Sequence, residues 1–138
     1  MGVLPCACSA TVDASGSQTI PIGPINVTLN FDVDINICPD CTLDNSFVNA
    51  SFSANIPIIG EVTASFEGEP VGFPVCFEDN GDQILEVDVE GNLIINGGGP
   101  DLVSFTLTLN SSGQVCINLQ IGPIMLPCLS IPVEITAC

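Results

Sequence analysis

From Ile25 to Ile37 the chain reads INVTLNFDVDINI, with an apolar side chain at every odd position and a polar one at every even position. Successive side chains of a strand point to opposite faces. Alternation held for 13 residues therefore specifies one long antiparallel strand with a buried face and a solvated face. A helix would scatter the same apolar set around its cylinder and throw Asp32 and Asp34 onto opposite sides.

The pattern recurs downstream. Val48, Ala50, Phe52, Ala54 and Ile56 alternate with polar residues, as do Val62, Ala64 and Phe66, and then Leu85, Val87 and Val89. Val103 to Leu109, Val115 to Ile121 and Ile131 to Ile135 follow the same rule. Turn chemistry separates these runs at IIGE (58–61), EDNGDQ (78–83), EGN (90–92), NGGGPD (96–101) and NSSGQ (110–114), and Asn80-Gly81 is a favoured pair for a type I′ hairpin. With 11 Pro and 13 Gly there is no window for a long helix. The expected fold is all-β: an antiparallel β-sandwich or jelly roll of about eight to ten strands. An Ile-Gly-Pro-Ile element occurs at both 22–25 and 121–124, as a faint internal echo.

Residues 1–19, MGVLPCACSATVDASGSQT, are small, polar and irregular beside this grammar. They read as a flexible, cysteine-bearing N-terminal arm, with the β-domain spanning 20–138. The opening residues show neither a basic n-region nor an apolar h-region, so no secretory signal is expected there. No apolar run approaches the length of a membrane span.

Charge narrows function sharply. The 138 residues include no Lys, Arg, His, Trp or Tyr, against 16 Asp and Glu, for a net charge of −16. Nucleic-acid binding requires cations to neutralise phosphate and is excluded as an expectation, and an anionic membrane surface would repel the chain. Side-chain salt bridges cannot form. Packing, backbone hydrogen bonds and covalent cross-links must hold the fold. Without His or Lys, the usual acid–base relays, triads and Schiff bases are unavailable. A carboxylate-pair glycosidase would have no aromatic ring or cation with which to hold a sugar, so no enzymatic activity is expected and no catalytic residue is assigned.

The carboxylates offer oxygen ligands of the kind Ca²⁺ prefers, at Asp32, Asp34, Asp79, Asp82, Glu86 and Asp88, but their spacing does not match an EF-hand loop. Acidic strand faces that keep the chain soluble and blunt edge pairing are the plainer reading, and no cofactor is required. Sequons at Asn26, Asn49 and Asn110 fall in a chain rich in Asn and Ser, where chance supplies them.

Eight cysteines, at 6, 8, 38, 41, 76, 116, 128 and 138, fit a disulfide framework in an oxidising compartment. The CPDC at 38–41 lacks the following helix of a redox pair and the second CxxC of a zinc site, which leaves structural disulfides as the main reading. Cys38, Cys41, Cys76 and Cys128 are the candidates for bonds within the domain. Cys6 and Cys8 on the arm, Cys138 at the chain end, and Cys116 are the candidates for bonds between subunits. By parity Cys116 points outward with Asn118 and Gln120, towards a loop, an arm or another subunit, and its alternative is burial under a second layer.

An arm MGVLPCACSA bearing Cys6 and Cys8, a multi-stranded body from Ile20 and a terminal Cys138 give the chain a layout that resembles the subunits of bacterial endospore appendages, the Ena fibres. That resemblance implies a jelly-roll subunit made without a signal peptide, whose N-terminal connector disulfide-bonds to neighbouring subunits. The expected function is then a structural subunit of a self-assembling extracellular filament on a cell or spore surface. Its partners would be copies of itself in a helical homopolymer joined by β-augmentation and inter-subunit disulfides. The alternatives are a Ca²⁺-stabilised secreted or surface-layer adhesive module and a viral capsid or decoration protein.

Overall fold

The computed structural model describes residues 6–121 and 124–138. It is all-β. The strands are β1 (Cys8–Ile22), β2 (Ile25–Ile37), β3 (Phe47–Ile56), β4 (Gly60–Pro70), β5 (Val75–Asp79), β6 (Asp82–Ile95), β7 (Asp101–Asn110), β8 (Gln114–Ile117), β9 (Gln120–Ile121), β10 (Ile124–Met125), β11 (Cys128–Ser130) and β12 (Glu134–Ala137). Ten of them form one antiparallel sheet in the order β11-β8-β7-β6-β4-β3-β2-β1-β12, with β5 on the flank of β6, and β9 and β10 form a separate small ribbon. The sheet curls into a half-barrel. Most neighbours are consecutive hairpins, so the architecture is a meander in which β12 makes the one long-range return, pairing with β1 at Cys8↔Ala137 to Thr11↔Glu134.

The alternating stretch is β2, and its inward side chains from Val27 to Ile37 are buried. Val12, Ile20, Leu29, Ile35, Ile37, Phe66, Leu85, Leu107, Leu109, Leu129 and Ile131 are the largest fully buried side chains of the interior. Phe66 and Phe105 meet edge to face there, with ring centroids 5.0 Å apart. Asn80 and Gly81 both have positive φ (52° and 88°), as a type I′ turn requires, and they close the β5–β6 hairpin at Asp79↔Asp82.

Two expectations are corrected. Residues 8–19, read as an arm, are most of β1, which pairs with the whole of β2 from Ala10↔Ile37 to Ile22↔Ile25. Residues 1–5 of the expected arm lie outside the described residues, as does part of the second Ile-Gly-Pro-Ile element. EGN at 90–92 is not a turn, because β6 runs straight through it and Leu85, Val87, Val89, Gly91 and Leu93 all face inward. At Gly91 β6 crosses β4 closely. Gly91 stands opposite Gly68, and the Phe66 ring lies where a side chain at position 68 would go.

The two ends of the sheet approach one another. Gln18, at an inward-facing position of β1, donates from Nε2 to the Cys128 carbonyl (3.2 Å) and accepts from the Ser130 N–H at Oε1 (3.0 Å). One side-chain amide thus satisfies backbone groups on the edge of β11, a direct way to blunt an open strand. Gln18→Ala is expected to lower unfolding free energy by about 1–2 kcal/mol, at about 1 kcal/mol per hydrogen bond lost. Urea denaturation checks this, and a change within experimental error would mean that the bridge is idle.

Candidate functional site

Three features of the surface bear on function: the strand edges, the cysteine bonds and the exposed apolar side chains. The edges are short. β5 offers only Val75–Asp79 beyond its pairing with β6, and β12 only Glu134–Ala137, while β11 is capped by Gln18. Such edges carry Glu78, Asp79 and Glu134, the acidic side chains that discourage strand addition. They are poor seats for the β-augmentation expected from the sequence.

The eight cysteines form four bonds within the chain, and among the described residues none is free: Cys6–Cys38, Cys8–Cys76, Cys41–Cys138 and Cys116–Cys128. Cys6, Cys8, Cys116 and Cys138, expected to reach other subunits, are therefore bonded internally. Each takes one of the four thiols assigned to structural bonds. The physical reason is proximity. β1 and β12 lie together, so Cys6, Cys8 and Cys138 gather at one end of the half-barrel beside the loop 38–46 and β5. Cys116 does point outward, and Cys128 stands directly across from it on β11 with a Cα separation of 4.1 Å.

In the CPDC loop, Cys38 and Cys41 have φ of 55° and 61°, and the Cys41 N–H donates to the Cys38 carbonyl (2.9 Å). This tight turn sends the two sulfurs to different partners. The Cys38 N–H is satisfied in turn by the buried Ser46 hydroxyl (2.9 Å). The reading of 38–41 as structural, neither redox pair nor zinc knuckle, agrees with this geometry.

The calcium candidates are not brought together. Asp32 and Asp34 lie on the polar face of β2, across from Ser15 and Asp13 on β1 and from Ser51 and Asn49 on β3. Asp79 and Asp82 flank the β5–β6 turn, and Asp88 accepts from the Thr106 hydroxyl (3.0 Å) while Glu86 faces Thr108. Among the described residues no group of three or more ligand side chains could hold a metal ion. A shallow depression of about 480 Å³ runs beside this face, where Asp32, Ser51, Ser53 and Ser65 meet the apolar Phe31 and Phe52.

Carboxylates oppose one another across the sheet at Asp13↔Asp34, Glu69↔Glu90 and Asp79↔Asp82, with no cation to separate them. Directly opposed like charges destabilise a sheet, and salt screens them. Melting temperature is expected to rise by about 5 °C between low salt and ~0.5 M NaCl, where the Debye length is only a few Å. CaCl₂ at equal ionic strength should add nothing further. Calorimetry reads both, and a melting point flat in NaCl would contradict the role given to these pairs.

The large exposed apolar side chains fall into two groups. Ile25, Ile58, Ile59, Leu102 and Met125 sit at the end that carries the β1–β2, β3–β4 and β6–β7 turns and the β9–β10 ribbon, here called the upper end. The second group lies on the lower flank: Val71 and Phe73 on the segment 71–74 that joins β4 to β5, and Val75 and Phe77 on β5 itself. That segment is a bulge: Pro70 pairs with Val89 and Val75 with Glu86, so residues 71–74 oppose only Val87 and Asp88. These two groups are the large apolar side chains that the described residues leave exposed. Alternation in the sequence located the strands but gave no sign of these patches, because a period of two does not say which of its faces is left exposed.

No protein-family model matches the chain, and no curated protein or solved structure matches it either. Among the described residues no helix is long and apolar enough to cross a membrane. Fold and bonding together define the class: an all-β protein of one curled antiparallel sheet, cross-linked by four internal disulfides. Such bonding fits an oxidising, extracellular environment.

Proposed function

We propose that this chain is a structural subunit of an extracellular filament built from copies of itself, of the endospore-appendage kind, with non-covalent joints between subunits. The observation that carries the reading is the gathering of exposed large apolar side chains into two separate patches on a body of net charge −16. Two patches per subunit, placed apart, are what an open chain of copies requires. The four disulfides serve this role by hardening each subunit, since covalent closure replaces the salt bridges that a chain without cations cannot make. The absence of Lys and Arg also leaves no cleavage site for trypsin-like proteases, which suits an exposed polymer.

Sedimentation velocity of the oxidised protein over a wide concentration range tests the proposal. The mean mass is expected to climb without a plateau, while a non-reducing denaturing gel shows one band at the 14.3 kDa of the monomer. A 14.3 kDa species at every concentration would overturn it.

A further inference from the structure

Ile58 combines two costs that folding alone leaves uncompensated. Its φ is 79°, in the left-handed region where a β-branched side chain is strained, and its side chain is wholly exposed at 107%. Gly or Asn would hold the β3–β4 turn at lower cost, and Ile58 buries nothing in return. Its neighbour Ile59 is exposed as well. Strain and apolar exposure meet on one residue at the tip of the upper end, and a contact that buries Ile58 would offset both.

Charge identifies what makes that contact. Of the 16 carboxylates, all but Glu61 and Asp101 lie at least five strand residues from the upper tips or in the lower loops. At a rise of about 3.3 Å per residue this is a separation of ~17 Å, about twice the Debye length in physiological salt. The upper end is thus an apolar cap with two of the 16 carboxylates, Glu61 and Asp101, on a more strongly anionic body. A basic partner would be drawn to the flanks and the lower end instead. A second copy of the chain, repelled everywhere else, is least opposed here.

We infer that the subunits join head to tail, the upper cap around Ile58, Ile59 and Met125 seating on the lower-flank patch of Val71, Phe73, Val75 and Phe77 in the next copy. The inference rests on the filament reading above and adds the polarity of its joint. Joints of cap on cap would force the alternate joints to set lower end against lower end. Each would bring Glu69, Glu78, Asp79 and Asp82 of two copies together with no cation between them. Head-to-tail joints place each set of lower carboxylates against a cap that carries only Glu61 and Asp101, and every joint is the same.

The test mixes two single variants of the full, oxidised chain, Ile58→Glu and Phe73→Glu, each in an exposed loop and each checked for native melting and intact disulfides. Alone, each is expected to lose joint affinity by about thirtyfold or more and to stay monomeric where the native chain polymerises. Mixed, they should form a one-to-one heterodimer that grows no further, because the intact cap of Phe73→Glu meets the intact flank of Ile58→Glu and both remaining ends are spoiled. Ile58→Gly should raise the melting point of the monomer by about 4 °C, by relieving the left-handed strain, while it weakens assembly. Single variants that polymerise like the native chain, or a mixture that stays monomeric, would overturn the head-to-tail joint and leave the filament reading standing. A native chain that never assembles would remove both.

Discussion

A chain with Cys41 and Cys138 both replaced by Ser is expected to melt about 15 °C below the native protein. The bond closes a sequence separation of 97 residues, and for a loop of about 100 residues the chain-entropy cost removed from the unfolded state is about 4.7 kcal/mol. Overlap with the Cys8–Cys76 loop, separation 68, trims that figure, because part of the same chain is already tethered. There is a native-state cost too. The Cys138 N–H donates to the Ala7 carbonyl (3.1 Å), just past the four register pairs that hold β12 on β1, so an untethered terminus frays from the outer edge of the sheet. Removing Cys116–Cys128 instead opens a loop of separation 12 between strands already paired in register, and should cost less, about 3 kcal/mol. Thermal melts of the two double variants decide the matter, and the larger loss in the Cys116–Cys128 variant would refute the loop-closure account.

The strict alternation of Ile25–Ile37 made β2 legible, and with it the all-β class, because a period of two over a long run admits one interpretation; the curl of one sheet into a half-barrel was not legible. β1 obeys the same rule and was missed. Cys8, Ala10, Val12 and Ala14 face one way and Ser9, Thr11, Asp13 and Ser15 the other, but Ala and Cys are too small to stand out. Two later inward positions hold Gly16 and Gln18. Each has a specific use: the Phe31 ring covers Gly16 (3.3 Å from where a Cβ would be), and Gln18 caps β11. Local departures from the pattern were therefore tertiary devices, visible only once the partner strands are in place.

The cysteines show the same limit. Their number and the compartment they imply could be read from the chain. Partners could not, because pairing depends on which strand returns to lie beside β1, and β12 makes that return across the whole sequence. Neither apolar patch could be told from a buried strand face by period alone: Val71, Phe73, Val75 and Phe77 alternate like any inward set, and only the partner strand shows that they face out.

Gly91→Ala is expected to destabilise the protein by about 3 kcal/mol or more, the upper range for forcing extra volume into a packed core. A Cβ at Gly91 would collide with the Glu67 carbonyl oxygen and come within 2.5 Å of the Gly68 Cα, both of them backbone atoms of β4 that no rotamer change can move. Gly68 is equally constrained, since its own Cβ would lie 2.6 Å from the Glu90 carbonyl oxygen and 2.6 Å from the Phe66 ring. Only separation of the two strands can relieve the overlap. That would break the ladder at Gly68↔Gly91 and disturb the neighbouring pair Gly91↔Val103 on β7, with Phe66 and Phe105 packed beside them. Gly99→Ala is the control: nothing lies within 4 Å of its Cβ, and the change should stay within about 0.5 kcal/mol of native. Urea denaturation compares the two. If Gly91→Ala were as mild as Gly99→Ala, β4 and β6 would not be in close contact at this crossing, and the curvature that brings β11 within reach of Gln18 on β1 would need another origin.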